Sequence, residues 1–172
     1  MLQCLGMIFC GAASPEATTT EGSLESRSVC TRAAHLDDAP QMAELSSQLG
    51  YPVTACEVRS RLDSLVCKAD QLILVAEGPE GQVVGWLHAT VTRSLVVESA
   101  ASIAGLVVDE HFRRKGVARS LMRQAEAWTL SQGVKSVSLR TNVARNAAHM
   151  FYEQLGYQRV KTQHVYRKLL GA

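Results

Sequence analysis

A short basic stretch with one glycine, RRKGVA at positions 113–118, is the part of this sequence best suited to bind an anion. It precedes a helical pattern, and the first backbone N–H groups of a helix are unpaired and lie at the positive end of its dipole, which favours phosphate. Arg113, Arg114 and Lys115 would add positive charge, and Gly116 would let the backbone approach an oxygen closely. The alternative is a basic surface turn that merely begins a helix. Neither G-x-x-x-x-G-K-S/T nor G-x-G-x-x-G occurs, which excludes the two common nucleotide-binding motifs.

Two regular elements must hold this loop, a strand before it and a helix after it. Residues 102–108 are nearly all small or apolar, which predicts a strand buried on both faces. Ala104 and Gly105 in this strand are small enough to let a ligand or another backbone approach closely. Residues 116–132 repeat apolar side chains at helical spacing and end at Gly133, which predicts a helix that begins at the loop.

Further elements on both sides of this unit predict a mixed α/β domain. In chain order they are a strand at 29–32, a helix that follows an N-cap carboxylate at Asp37 and Asp38, a helix with a capping box of Thr54 and Glu57, hairpin strands at 71–76 and 82–91, more β pattern at 94–97, a strand at 136–141, a helix at 145–155, and closing strands at 157–160 and 165–169. The order β-α-α-β-β-β-α-β-α-β-β describes one sheet with helices packed on it. Residues 1–28 lack a hydrophobic period and are expected to form a disordered leader, so the domain is placed at 29–172.

The composition is that of a globular protein and excludes several classes of function. Apolar residues make up 47% of the chain and charged residues 20%, with a net charge of +2. Lys and Arg are scattered without a basic helix, which argues against nucleic-acid binding. No run reaches the roughly 18 apolar residues of a membrane span. The five cysteines are an odd number without a C-x-x-C pair, which predicts reduced thiols in a cytoplasmic protein and no metal site.

Polar and aromatic residues downstream of the loop occur in an order that is typical of one enzyme superfamily. They are Asn142 after a predicted strand, Asn146 at the start of a helix, Phe151 and Tyr152 within it, and Leu155, Gly156 and Tyr157 at its end. The loop itself, R-x-x-G-x-A, matches the pattern Q/R-x-x-G-x-G/A. In this order and spacing, the residues resemble the GNAT superfamily of acyl-CoA N-acyltransferases over roughly residues 29–170.

The resemblance implies a GNAT fold, a central mixed sheet of about six to seven strands flanked by about four helices, with acetyl-CoA as the acyl donor. The end of the central strand would bind the pantetheine arm like an added strand, through the backbone of Leu106, Val107 and Val108. The loop would hold the pyrophosphate through its main-chain N–H groups, and Arg119 would be close enough to assist. The loop residues are Arg113, Arg114, Lys115, Gly116, Val117 and Ala118. Asn146 matches a position that hydrogen-bonds the cofactor arm, and Asn142 either faces the same cleft or is a turn residue.

The chemistry that the resemblance implies is direct acyl transfer. A neutral amine attacks the thioester carbonyl, a backbone N–H near Val107 stabilises the oxyanion, and Tyr152 protonates the leaving thiolate. The alternative for Tyr152 is a core aromatic residue. Many relatives place a general-base Glu where this chain has Ser102, so the base is unassigned; Glu98 is the tentative base, directly or through water, and a plain surface carboxylate is the alternative. The remaining histidines and tryptophans are interpreted as ordinary strand, surface or packing residues: His88, His111, His149, His164, Trp86 and Trp128.

Three functions are compatible with this sequence. The first is an N-acetyltransferase for a small-molecule or peptide amine, the second is an acyl-CoA-binding regulatory module with little or no turnover, and the third is a structural domain whose loop is coincidental. The parts expected to shape the acceptor site, residues 36–65 and 161–170, are the least patterned. Aminoglycoside antibiotics, polyamines, amino acids and protein amines therefore stay open as acceptors, and a homodimer is consistent with the resemblance.

Overall fold

The computed structural model describes residues 29–171, and the leader predicted for residues 1–28 lies outside them. The strands are β1 (Cys30–Ala33), β2 (Gln71–Glu77), β3 (Val83–Thr92), β4 (Ala100–Val108) and β5 (Val137–Leu139). The α-helices are α1 (Ala39–Gln48), α2 (Ala55–Leu65), α3 (Val117–Ser131) and α4 (Asn146–Gln154). In the described range, no helix combines the length and the apolar character needed to cross a membrane.

The sheet has the strand order β1-β2-β3-β4-β5. The first four strands pair antiparallel, and β5 pairs parallel with β4. A parallel neighbour needs a crossover connection, which α3 provides between β4 and β5. The mixed α/β class predicted from the sequence is therefore confirmed, although the described residues contain five strands instead of six or seven.

Helices cover both faces of the sheet, so the domain has two apolar cores. Helices α1 and α2 pack on one face, where Leu45, Leu62 and Val75 are buried together. Helix α3 packs on the other face, and α4 adds partly buried aromatic rings to the same core. The buried side of α3 carries Val117, Leu121, Met122 and Ala125. Each buried aliphatic side chain of this size stabilises the fold by about 1.5–3 kcal/mol, which fixes the start of α3 against the sheet.

The two strands predicted near the carboxyl end are absent from the described residues. Residues 158–171 contain no strand, and their apolar side chains lie in solvent, with Tyr166 91% exposed. The predictions for 157–160 and 165–169 are therefore wrong, because an apolar pattern forms a strand only beside a backbone that accepts its hydrogen bonds. The predicted β pattern at 94–97 is also wrong, since β3 ends at Thr92 and an exposed loop leads to β4.

The carboxylates before the first helix act differently from the sequence prediction. Asp38 is the N-cap of α1, but its side chain makes no capping hydrogen bond to that helix. Instead it accepts the backbone N–H of His35 at 2.7 Å and two guanidinium N–H groups of Arg32 at 2.8 and 2.9 Å. Burial raises the pKa of Asp38, but the bonds from Arg32 and His35 outweigh burial and hold that pKa below 3.8. The capping box of Thr54 and Glu57 on α2 is confirmed.

Candidate active site

Strand β4 contains a bulge in its middle. Gly105 pairs with His88 of β3, and the next pair joins Ile103 to Ala89, which leaves Ala104 without an opposite residue. A bulge bends its strand and redirects the residues around it. Ala104 is exposed. The prediction that this strand is buried on both faces is therefore wrong at Ala104, which the bulge turns out to solvent.

The parallel neighbour of β4 ends where this bulge begins. Strand β5 pairs with β4 only through residues 101–103. From residue 104 to residue 108, β4 has β3 on one side and no strand of the described chain on the other. An unpaired strand edge is a row of free backbone donors and acceptors. The middle of the sheet is therefore open to an extended ligand at this place.

The direction of the backbone groups shows which residues face the open edge. The N–H of Asp109 donates to a carbonyl of β3 at 2.8 Å. Because successive residues of a strand direct their backbone groups to alternate sides, Val107 also faces β3, and Leu106 and Val108 face away from it. The carbonyl of Val108 accepts a hydrogen bond from Nε of Arg113 at 3.2 Å instead of one from a strand. A ligand with amide groups can pair here as an added strand.

The turn after β4 exposes a row of unpaired N–H groups. Arg114, with φ 64°, and Gly116, with φ 81°, both have left-handed backbone conformations, and α3 begins at Val117. The first bond of this helix runs from the N–H of Ser120 to the carbonyl of Gly116. No residue of the described chain accepts a hydrogen bond from the backbone N–H groups of residues 113–119. With the positive end of the helix dipole, these donors form a site suited to phosphate oxygens.

Side chains hold this turn in place and surround it with positive charge. Val117 is buried in the core under α3 and anchors the start of the helix. The ammonium of Lys115 lies 4.8 Å from the centre of the Phe112 ring, a cation–π distance. The side chains of Arg114 and Arg119 are exposed beside the same turn. An anion that approaches the turn therefore meets positive charge before it reaches the backbone donors.

Tyr152 of α4 packs on the same core as Leu106 and Val108. Its ring makes edge-on contacts with the rings of Phe151 and Tyr157, at centroid distances of 5.2 and 6.0 Å. Burial raises the pKa of Tyr152, and the positive charge of Arg145 offsets this only in part, so the phenol keeps its proton near neutral pH.

The hydroxyl of Tyr152 is accessible to a ligand. In residues 29–171, the single buried side-chain nitrogen or oxygen that lacks a hydrogen-bond partner is Nε1 of Trp86. The Tyr152 hydroxyl makes no hydrogen bond to a described residue, so it would be named with Trp86 if it were buried. Solvent therefore reaches the hydroxyl. A half-buried phenol that is protonated and reached by solvent is suited to act as a general acid.

The two asparagines downstream differ in their contacts. Oδ1 of Asn142 accepts the N–H of Ala144 at 2.9 Å, and its carbonyl accepts the N–H of Arg145 at 3.0 Å and a ring nitrogen of His149 at 3.1 Å. These bonds fit the turn interpretation of Asn142. Asn146 begins α4, is exposed, and makes no side-chain hydrogen bond within the part of the chain described. Its amide is therefore available to a ligand.

Glu98, the tentative base, lies apart from the bulge. It stands in the exposed loop between β3 and β4 and makes no hydrogen bond or ion pair with any residue in 29–171. The strand segment from residue 100 to residue 104 alone spans about 13 Å. Glu98, which precedes the start of β4, is therefore well separated from Ala104 at the bulge in the middle of the strand. Ser102, between them, is half-buried and carries no carboxylate.

A polar cluster beside the bulge was missed by the sequence reasoning. Trp86, His88 and Thr90 alternate along one face of β3. Nε2 of Gln71 donates to Oγ1 of Thr90 at 2.9 Å, and Oε1 of Gln71 bonds Nε2 of His88 at 2.8 Å. The Trp86 ring lies so close to Gly105 that a Cβ there would be 2.6 Å from a ring carbon. The signal for this cluster is the period of two that places these side chains on one face of a predicted strand.

These features together suit a ligand with a phosphate-rich head and an amide-containing arm. The turn supplies donors to the head, the open edge of β4 pairs with the arm, and Ala104 leaves space at the bulge. In the described residues, no group of three or more His, Cys, Asp or Glu side chains could hold a metal ion.

Comparisons with known proteins point to one family. The sequence profile of the acetyltransferase (GNAT) family matches residues 39–157. N-acetylaspartate synthetase of Danio rerio is 36% identical over 81 residues, which are 47% of this chain and 28% of that protein. The chain therefore spans less than a third of the length of this relative.

Two solved structures share the fold. An aminoglycoside antibiotic 6'-N-acetyltransferase from Acinetobacter baumannii aligns with a TM-score of 0.73 at 18% identity, over 83% of this chain and 99% of that chain. AAC(6')-Iy, in complex with the bisubstrate analogue CoA-S-monomethyl-acetylneamine, aligns with a TM-score of 0.73 at 17% identity, also over 83% of this chain and 99% of that chain.

Proposed function

This chain belongs to the acetyltransferase (GNAT) family, and on that premise we propose that it is an N-acetyltransferase. It moves an acetyl group from acetyl-CoA to a primary amine of a small molecule or peptide by direct attack in a ternary complex. The observation that carries this proposal is the juxtaposition of the open edge of β4 with the turn of unpaired N–H groups at residues 113–119. One ligand that needs both is CoA, which has a pyrophosphate and an amide-containing arm.

The residues present fit acetyl-CoA at this place. The N–H groups of the turn would bind the pyrophosphate, with Arg114, Lys115 and Arg119 adding charge. Leu106 and Val108 direct backbone groups to the open edge, where the pantetheine amides would pair. Val107 faces β3, so the donor that stabilises the oxyanion is better placed at Leu106. Such a donor is worth about 3–4 kcal/mol in a dry site.

Tyr152 is proposed as the general acid. Burial raises the pKa of this phenol further above its ordinary value of 10.0, so the hydroxyl holds its proton near neutral pH, and solvent reaches it. It would give that proton to the sulfur as the C–S bond breaks, which prevents the release of a bare thiolate. Asn146 would hydrogen-bond the cofactor arm at the start of α4, and Asn142 would support the turn that holds Asn146.

The acceptor is proposed as a class, a primary amine. One relative is named as an N-acetylaspartate synthetase and one structural neighbour as an aminoglycoside acetyltransferase. Both names describe acylation of an amine on a small molecule. Aspartate, aminoglycosides, polyamines, other amino acids and peptides are therefore the acceptors to test first.

The test measures CoA binding and thiol release separately. Acetyl-CoA at about 100 times its Kd should stabilise the protein by about 2.7 kcal/mol, which is measurable as a rise in melting temperature. Thiol release over the amine panel then reports turnover. Binding without turnover across the panel would favour a regulatory module. No binding would overturn the proposal, because the turn and the open edge would then have no CoA to hold.

A matched pair of glycines at the two ends of α3 supplies the control. Gly116, with φ 81°, and Gly133, with φ 71°, both have open space where a Cβ would be placed. Each Gly→Ala change therefore adds the same backbone strain, about 1–2 kcal/mol. Gly116→Ala should weaken CoA binding about tenfold or more, and Gly133→Ala should leave it unchanged. Equal loss of binding in the two variants would contradict the assignment of the turn.

A further inference from the structure

We infer that His88 is the general base of this acetyltransferase and takes the proton of the acceptor amine through Nδ1. The inference rests on the proposed function. It assigns a residue to the removal of the proton from the acceptor amine, the step for which that function names no general base. It replaces Glu98, which lies in an exposed loop at the far end of β4, and Ser102, which has no basic group near neutral pH.

The position of His88 is set by the bulge. His88 pairs with Gly105, and the residue next to Gly105 is Ala104, the unpaired and exposed residue of β4. The open edge of β4 begins at this same residue, because β5 pairs no further than Ile103. An arm paired along that edge would lie about 5 Å beyond Gly105 on the side of β4 away from β3, so its acyl group would end across the bulge from His88. Directly paired residues of neighbouring strands lie about 4.5–5.5 Å apart.

The hydrogen bonds of His88 fix which ring nitrogen is free. Nε2 lies 2.8 Å from Oε1 of Gln71, and the amide nitrogen of Gln71 is engaged by Thr90. With the Gln71 amide in this orientation its oxygen can only accept, so we assign the hydrogen of the neutral ring to Nε2 and the lone pair to Nδ1. Nδ1 makes no hydrogen bond to a residue in 29–171. In these residues the single buried side-chain nitrogen or oxygen without a partner is Nε1 of Trp86, so Nδ1 is exposed to solvent. Gln71 thereby holds the ring with its basic nitrogen available.

The surroundings of His88 keep the imidazole neutral. Ile73 of β2 and Gly105 of β4 lie opposite it on the two sides and are uncharged. Burial lowers the pKa of His88 below its ordinary value of 6.5, and no charged neighbour contributes to that shift. The unprotonated form therefore prevails at pH 7. A base must be free of its proton before the reaction, and His88 meets this condition.

The proposed step balances in atoms and charge. The lone pair of the amine forms the N–C bond to the thioester carbonyl, and the N–H proton of the attacking amine passes to Nδ1 of His88. The C–S bond then breaks, its electron pair stays on sulfur, and Tyr152 gives sulfur a proton. The products are an amide, the thiol of CoA, an imidazolium and a tyrosinate. Solvent removes the proton from the imidazolium and returns one to the tyrosinate, so no further reactant is needed.

The test compares His88→Gln with the wild-type protein. A glutamine amide nitrogen can take the place of Nε2 and keep the bond to Gln71, but it cannot act as a base. With acetyl-CoA and a saturating acceptor, kcat at pH 7 should fall about 10²–10³-fold. The acidic fall of kcat that the proposal predicts for the wild type should be absent in this variant, and the Kd for acetyl-CoA should stay within twofold. His111→Gln is the matched control, because the His111 side chain is 81% exposed and lies near Glu110, away from β3.

A second variant and a spectroscopic measurement separate catalysis from structure. Gln71→Glu places a carboxylate at Nε2, which favours the imidazolium, so the acidic limb of the kcat profile should move to higher pH. Nitrogen-15 NMR of the wild-type imidazole should show the hydrogen on Nε2. Full activity of His88→Gln, an unmoved profile in Gln71→Glu, or a hydrogen on Nδ1 would each overturn the role of His88. Absence of wild-type turnover, by contrast, would overturn the proposed function itself.

Discussion

Replacement of Gly105 by a larger residue is predicted to destabilise the fold, because the Trp86 ring occupies the space a side chain would need. A Cβ at this position would lie 2.6 and 2.7 Å from two carbons of the indole. Real Cβ contacts are about 3.5–4.0 Å, so the ring or the strand would have to move by about 1 Å. The ring packs against the core between the sheet and helices α1 and α2 and cannot move without displacing that core.

The cost of Gly105→Ala follows from this geometry. Overpacking of a well-packed core destabilises by about 1–3 kcal/mol. For a domain of this size, each kcal/mol lowers the melting temperature by about 3–4 °C, so the expected loss is about 3–12 °C. Thermal unfolding followed by circular dichroism, with and without acetyl-CoA, measures it.

A double-mutant cycle identifies Trp86 as the cause. Trp86→Leu removes the two ring carbons that a Cβ would meet, so Gly105→Ala should cost less than about 1 kcal/mol in that background. The interaction energy of the cycle should then be about 1–2 kcal/mol. A melting temperature of Gly105→Ala within 1 °C of the wild type would refute the reasoning. Equal costs in the two backgrounds would also refute it, since the clash would then lie elsewhere.

Three further predictions concern the acid, a buried ion pair and the asparagines. Tyr152→Phe keeps the ring contacts but removes the proton, so kcat should fall about 10²-fold at an unchanged Kd for acetyl-CoA; an unchanged kcat would exclude the general-acid role. Asp38→Asn should lower the free energy of unfolding at pH 7 by about 2–3 kcal/mol in urea titrations. The pKa of Asp38 is lower in the folded state than its ordinary value of 3.8, so its contribution to stability is present above pH 3.8 and is lost as the pH falls from 3.8 towards the folded pKa. The difference in free energy of unfolding between wild type and variant should shrink over that pH range. Asn142→Ala should cost about 1 kcal/mol of stability because the Asx turn is lost. Asn146→Ala should instead leave stability unchanged and raise the Kd for acetyl-CoA about fivefold by isothermal titration, and a reversed pattern would contradict both roles.

The elements whose partners lie close in sequence were predictable. The capping box of Thr54 and Glu57 is local, since each side chain bonds the other's backbone three residues away. Val117 and Leu121 define the buried face of α3 because helical spacing alone decides which side chains share a face. These features need no knowledge of the rest of the molecule.

The parts that depend on distant partners were not predictable. The apolar pattern around Tyr166 suggests a strand, but a strand exists only if another backbone lies beside it, and none does in the described chain. The exposure of Ala104 depends on a bulge against β3 and on where β5 ends, which no local pattern encodes. The sequence predicts His88 to be an ordinary strand residue for the same reason. Its alternation with Trp86 was visible, but its place opposite the bulge follows from strand register.

The turn at residues 113–119 presents main-chain N–H groups to the ligand proposed for it, and this affects how such a protein can diversify. Main-chain N–H groups persist through almost any replacement other than proline. Within the turn, Arg114 and Gly116 restrict replacement through their positive φ, which glycine, asparagine and aspartate accept most easily. A binding site made of main-chain N–H groups therefore depends on the backbone conformation and not on particular side chains. In the role proposed for this turn, substitutions around the acceptor site can change which amine is accepted without changing how the acyl donor is bound.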